Sequence, residues 1–190
     1  MTATAAWPQP REGDERALIG RVLRGDRVAA RELYERHAPR IYRVVYRMVG
    51  DEELAREYTQ DTFVKAFQKL DGFRQESALS TWLHAIALSM VRSGRRRATR
   101  RRAREVALDH AVEVAGPGVR NGDPDLRDRL AMELEALPEK FRTVVVLHDI
   151  EGYTHQEIAG MTGVPEGTCK TRLMYARARL RKALAVFRKE

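Results

Sequence analysis

Cysteine is almost absent from this 190-residue chain: Cys169 stands alone, so neither an internal disulfide framework nor a cysteine-rich zinc site is available. Long apolar runs are missing too. The best of them, Val144-Val145-Val146-Leu147, stops at His148, far short of the roughly 18 residues that a membrane span needs. Met1 to Pro10 has no basic start followed by an apolar stretch, so no secretory signal is expected and the chain reads as cytoplasmic. Strand-like alternation is scarce, and no Asn-Gly or Asp-Gly sits between two alternating apolar runs, which argues against a hairpin-built sheet.

Charge is what the chain has in quantity. Thirty-five Lys and Arg face 27 Asp and Glu, a net charge of +8, and the basic residues are not spread evenly. Positions 95–104 read Arg-Arg-Arg-Ala-Thr-Arg-Arg-Arg-Ala-Arg, with no acid. A second basic block (Lys170, Arg172, Arg177, Arg179, Arg181, Lys182, Arg188, Lys189) closes the chain. Between them lies an acidic stretch containing Ala-Gly-Pro-Gly, and another acidic cluster runs from Asp51 to Asp61. Two separate cationic blocks suit two contacts with a polyanion such as nucleic acid.

The apolar periodicity is helical throughout. Leu33, Ile41, Val44, Val45 and Met48 fall at helical spacing over 26–49, with Pro39 as a possible kink or break and Gly50 as the stop. The next helix opens near Asp51 and is expected to bury Leu54, Tyr58, Ala66 and Leu70. Gly72 to Ser80 reads as a loop, followed by a helix stacking Trp82, Leu83, Ile86, Ala87, Met90 and Val91 before the arginines. Pattern decays over 105–123, a linker, and resumes at Asp123-Pro124, a cap followed by proline in the first turn. Leu126, Leu130, Leu134 and Leu137 share one helix, Pro138 opens another, and the stretch from Pro165 stripes Cys169, Leu173, Ala176, Leu180, Leu184 and Phe187. The expectation is an all-α chain of two small helical bundles joined by a flexible linker: a disordered 1–13, a first unit over 14–104, the linker 105–123, and a second unit over 124–190 with a helix-turn-helix.

That helix-turn-helix is the most informative motif. Thr154-His155-Gln156-Glu157 has capping-box spacing. Ala159 allows close helix approach, and Gly163 supplies the turn. With Cys169, Leu173 and Ala176 inward, Lys170, Thr171, Met174 and Tyr175 face outward, flanked by Arg172 and Arg177. A helix presenting a cation, a hydroxyl and an aromatic can enter the major groove while arginines hold phosphates.

Several segments then resemble one family in its own order. Leu134-Glu135-Ala136-Leu137-Pro138, Glu157-Ile158-Ala159 and Gly167 through Arg181 resemble region four of bacterial sigma factors, most of all the extracytoplasmic-function (ECF) group. Leu33-Tyr34-Glu35-Arg36-His37, Tyr58 through Phe63, and Phe73-Arg74 leading to Ser80-Thr81-Trp82-Leu83 resemble region two. The resemblance implies a dissociable subunit that binds core RNA polymerase and directs promoter-specific initiation. Region two would read and melt the minus-ten element, and region four would read the minus-thirty-five element and hold the β flap. Gln60, Asp61 and Phe63 would dock on the β′ clamp coiled coil, with core packing the favoured place for Phe63 itself, and an anti-sigma factor would clamp between the bundles.

For the minus-ten element the expected contacts are the 75–80 loop (Gln75, Glu76, Ser77, Ser80) holding a flipped base, Trp82 as either a wedge or a core residue on the apolar stripe, Ser89 and Ser93, and the backbone-following Arg95, Arg96 and Arg97. The sequence departs from the family where Ser89 and Ser93 replace amide or acidic residues, and serine lacks the paired donor and acceptor of an amide. Tyr175 replaces a common arginine and Cys169 a usual valine; Cys169 on the apolar stripe reads as core filler. His148 and His155 have no carboxylate arranged with them for zinc. The acids do not converge for metal or acid–base work, so no metal, no cofactor and no enzymatic activity are expected. The alternative is a helix-turn-helix regulator acting without core polymerase, a task for which the acidic Gln60/Asp61 helix is superfluous.

Overall fold

The computed structural model describes residues 12–106 and 126–185; the expected Asp123-Pro124 cap, most of the 1–13 and 105–123 segments, and Phe187 lie outside them. The first half is α1 (Glu12–Leu23), α2 (Arg27–Val49), α3 (Glu52–Lys69) and α4 (Leu79–Val106). Asp26 caps α2 by accepting from the Val28 and Ala29 amides at 2.9 and 3.1 Å, and Gly50 stops it. Pro39 lies within α2 without ending it. Leu33, Ile41, Val44, Val45 and Met48 are all buried, as their spacing predicts.

Helix α3 departs from expectation. Leu54 is 39% exposed, and the buried face is Ala55, Tyr58, Thr59, Thr62, Phe63 and Ala66. Two threonines tolerate the interior because their hydroxyls donate to the carbonyls of Ala55 and Tyr58 four residues back, each at 2.6 Å; with that bond made, burying the hydroxyl costs little. The loop after α3 is also shorter than its composition suggests. A 3-10 turn covers Leu70–Gly72, and α4 already begins at Leu79. Gly94 of α4 makes room for Tyr58 of α3: a Cβ there would lie 2.0 Å from the Tyr58 hydroxyl.

The second half comprises α5 (Leu126–Glu135), α6 (Glu139–Val145), α7 (His155–Thr162) and α8 (Glu166–Ala183). A π-helical turn, Val146–Ile150, continues α6. Such a turn adds a residue to the repeat, which apolar spacing alone does not reveal. Leu134 and Leu137 are buried while Leu130 is 38% exposed. Among the described residues there is no strand, and no helix is long and apolar enough to cross a membrane.

The halves do not hang on a tether alone; their buried side chains form one continuous cluster. Arg142 of α6 is 6% exposed and donates to the Met48 carbonyl of α2 at 2.6 Å, to the Leu137 carbonyl at 3.0 Å, and to the Glu135 carbonyl. Burial pushes its pKa down, but carbonyls from the C-terminal ends of α2 and α5 are suitable neighbours for a cation. Arg40 of α2 donates to a Glu151 carboxylate oxygen at 2.7 Å and to the Glu151 carbonyl at 3.1 Å.

Candidate nucleic-acid interface

Helices α7 and α8 form the expected hairpin. The Thr154 hydroxyl accepts from the Glu157 amide at 3.2 Å, while the Glu157 carboxylate accepts from the Thr154 amide at 2.8 Å, a complete capping box. Gly163 ends α7 at φ 68°, in the left-handed region that a side chain disfavours. Cys169, Leu173 and Ala176 pack inward, with Cys169 fully buried.

That inward stripe turns the other face of α8 to solvent. Met174 and Tyr175 are 57% and 56% exposed, large values for an apolar and an aromatic side chain. Lys170 and Thr171 are exposed beside them, and each is tied within its own helix, Lys170 to Glu166 at 2.6 Å and Thr171 to the Gly167 carbonyl at 3.0 Å. The Lys170 ammonium holds the Glu166 carboxyl below its usual range. Tyr175 also leans on Phe141, with ring centroids 6.3 Å apart.

Arg177 is not a free cation: it makes a two-point pair with Asp149, at 3.0 Å through Nε and 2.5 Å through Nη2. The sequence gives no cue to this pair, because the π turn decides where Asp149 points. The same turn stacks His148 on His155, centroids 4.4 Å apart and planes 20° from parallel. Partial desolvation first, then the neighbouring His148, Lys170 and Arg177, lower the pKa of His155.

The second candidate surface is on α4 and the loop before it. Gln75, Glu76 and Ser77 are exposed, and Gln75 holds φ 57°, an uncommon conformation for a residue with a side chain. Ser80 does not belong with them. It is 9% exposed, lies inside α4, and its carbonyl accepts from His84, so helix packing removes it from the loop surface. Trp82 is half-buried against Phe73, centroids 5.1 Å apart. Ser89 is exposed, Ser93 half-buried and bonded by Arg96, and Arg96 and Arg97 exposed. Arg95 is engaged elsewhere, reaching Glu139 of α6 at 3.2 Å and the Met48 carbonyl at 3.4 Å.

On α3, Gln60 is exposed and Asp61 half-buried. Phe63 lies in the core, 2% exposed and edge-on to Tyr34 at 4.7 Å, so it can shape a docking face only through its neighbours. Beside it, Tyr34, Ala38, Tyr42, Arg56, Thr59 and Gln60 line an open groove between α2 and α3.

At the junction of the halves, His84 is fully buried. Its Nδ1 lies 2.7 Å from the Ser80 carbonyl, which can only accept, so Nδ1 carries the hydrogen and shares it with the Tyr153 hydroxyl at 2.9 Å. Burial pushes the His84 pKa down to about 4. Among the described residues no group of three His, Cys, Asp or Glu could hold a metal ion.

Family models match both halves: Sigma-70 region 2 over residues 33–101 and Sigma-70, region 4 over 127–180. The chain is 35% identical over 157 residues to the ECF RNA polymerase sigma factor SigE of Mycolicibacterium smegmatis, spanning 81% of this chain but only 61% of that relative. It is 31% identical over 180 residues to the RNA polymerase sigma-H factor of Pseudomonas aeruginosa, covering 90% of this chain and 93% of the other. Among solved structures it resembles the sigma factor RpoE in complex with the anti-sigma factor NepR from Bartonella quintana (TM-score 0.63, 27% identity, 82% and 96% of the two chains). It also resembles CnrH in complex with the cytosolic domain of CnrY (TM-score 0.64, 27% identity, 90% and 97%). Two regions matched in order on an all-helical fold place the chain in the sigma-70 family as an ECF RNA polymerase sigma factor, a non-enzymatic subunit that directs transcription initiation.

Proposed function

We infer that the two halves divide promoter recognition between them, with residues 14–104 as region two, 105–123 as the connection and 124–190 as region four. Lys170, Thr171, Met174 and Tyr175 read base edges of the minus-thirty-five element, with Arg172 on its phosphates; Arg177 is held by Asp149 and instead braces the helix. The observation that carries this is the exposure of Met174 and Tyr175 directly over a buried Cys169–Leu173–Ala176 stripe. An apolar pair open to solvent on a cationic helix suits insertion into a groove, where thymine methyls and base faces replace water.

The 75–77 loop and Trp82, with Ser89, Ser93 and Arg95 to Arg97, engage the minus-ten element, the arginines following its phosphates. Gln60 and Asp61 meet the clamp coiled coil of the polymerase β′ subunit, with Phe63 and Tyr34 supporting that face from beneath. The protein acts in the cytoplasm, where polymerase is found. An anti-sigma factor holds it inactive, a reading supported by its likeness to a sigma factor solved with NepR.

Run-off transcription with core polymerase on a promoter recovered with the tagged chain tests this reading. A transcript with a defined start that core alone does not make is the expected result. Tight sequence-specific binding by the free chain, with no transcript, would instead indicate a regulator independent of polymerase.

A further inference from the structure

We propose that Thr99 is a phosphorylation site for a serine/threonine kinase that reads arginines, and that the phosphate it gains withdraws α4 from the minus-ten element. The inference rests on the division of labour proposed above, in which Arg95 to Arg97 follow DNA phosphates. Thr99 is the one hydroxyl residue among positions 95–104, with Arg95, Arg96 and Arg97 before it and Arg100, Arg101 and Arg102 after it. It is exposed on α4. Arg95 and Arg96 lie one helical turn back, and with Arg92, Arg100 and Glu139 they line one open cleft that includes Thr99. Four guanidinium groups around a single alcohol are a receptor for a phosphate monoester, because each planar fork can meet two of its oxygens. The same arginines mark the site for an enzyme. A kinase whose substrate groove carries carboxylates finds cations two and three residues before the hydroxyl, at Arg97 and Arg96.

The transfer uses ATP as the donor. The bond from Thr99 Oγ1 to the γ-phosphorus forms as the bond to ADP breaks, and the hydroxyl proton passes to the kinase's base. Access is open as well. The last buried residue of α4 among those described is Gly94, and positions 96–101 are all exposed, so this end can unwind into a kinase groove without disturbing the core. Once formed, the phosphothreonine carries about −1.5 to −2 charges at neutral pH. Arg96 and Arg100 turn onto it, and Arg95, which lies 3.2 Å from Glu139, exchanges a carboxylate for a doubly charged phosphate. Those cations are then lost to DNA, and the added negative charge repels the promoter backbone. Gln60 and Asp61 lie on α3, so binding to core polymerase is left as it was.

The test treats the full chain with ATP and a recombinant serine/threonine kinase that prefers arginines before its target. Tandem mass spectrometry should place one phosphoryl group on Thr99 in the wild type and none at that position in Thr99→Val, whose fold is checked by circular dichroism. As holoenzyme with core polymerase, the phosphorylated protein should bind its promoter about tenfold more weakly, and the slope of log affinity against log salt should shrink by about two, as for two arginines withdrawn from DNA phosphates. Run-off transcription should fall in parallel, phosphatase should restore both, and Thr99→Glu, with a single charge, should lie between. A pull-down of core should not change.

The tagged chain recovered from its own cells should carry the same group on Thr99 in a fraction of molecules that varies with growth condition. A Thr99 that the kinase leaves unmodified, a cellular chain without the group under any condition, or a phosphorylated chain that binds and transcribes as before overturns the proposal. Loss of core binding on phosphorylation overturns it too, because the effect would then lie on polymerase docking and not on DNA. Run-off activity of the unmodified protein is a separate readout: its absence sinks the reading of region two, whereas its presence with no fall on phosphorylation sinks the Thr99 switch alone.

Discussion

Helices α4 and α8 both carry dense positive charge, yet their polar faces are available to different degrees. On α8, Lys170, Thr171, Met174 and Tyr175 are exposed, and the hydrogen bonds of Lys170 and Thr171 stay inside their own helix. On α4, Arg92 and Arg95 reach into the opposite half. The hairpin of region four is complete in itself: a capping box, a left-handed glycine and a local apolar stripe suffice to set its exposed face. The surface of region two is shared, so its availability depends on where region four sits. A cationic helix is therefore a DNA site only to the extent that tertiary packing leaves its donors free.

The most severe way to break the comparison is to remove the residue that belongs to both halves. Arg142→Ala strips the donor from the Met48, Leu137 and Glu135 carbonyls at once. It should lower stability by about 4 kcal/mol, since each abandoned buried acceptor costs about 1 to 3; urea denaturation measures this. Acid comes next. His84 is neutral in the fold with a pKa of about 4 against 6.5 for the free side chain, so above pH 6.5 it imposes no penalty. As pH falls from 6.5 toward 4 the unfolded chain gains a proton that the fold refuses. Stability then drops by up to about 3 kcal/mol, and a pH series of denaturation midpoints should show this loss reduced in His84→Gln.

Gly94→Ala tests the contact between α3 and α4 inside region two alone. A methyl 2.0 Å from the Tyr58 hydroxyl and 2.4 Å from its ring carbon cannot be accommodated without a shift. The expected loss is about 2 kcal/mol, in place of the gain of about 1 that alanine ordinarily brings to a helix interior. Removing only the hydroxyl, as in Tyr58→Phe, should restore little, because the ring carbon remains. Thr154→Ala is the mildest and sharpens the other side of the comparison. Losing the capping box should cost about 1 kcal/mol and weaken upstream-element binding through region four, with core binding by region two unchanged in a pull-down.

Much of this molecule is legible residue by residue where local physics decides. The α2 stripe, the Thr154–Glu157 box, the Gly163 turn and the burial of Cys169 all follow from spacing and capping chemistry. Legibility fails where a side chain satisfies itself or is satisfied from afar. Thr59 and Thr62 look polar but bond their own helix and join the buried face of α3, while Leu54 emerges. Ser80 reads as loop because its composition says so, but the helix claims it. Nothing local singles out Arg142, because its carbonyl partners lie up to 94 residues away.

The amino-acid order alone settled the helical class, the two cationic blocks and the hairpin with its outward Lys170–Tyr175 face, because periodicity, caps and charge are properties of short stretches. Only the tertiary structure decided that Glu151 lies between Arg40 and Arg47, that Arg177 is held by Asp149, and that Arg92 and Arg95 face the opposite half. Those contacts join residues far apart along the chain, and desolvation, which fixes their strength, exists only once the two bundles have packed.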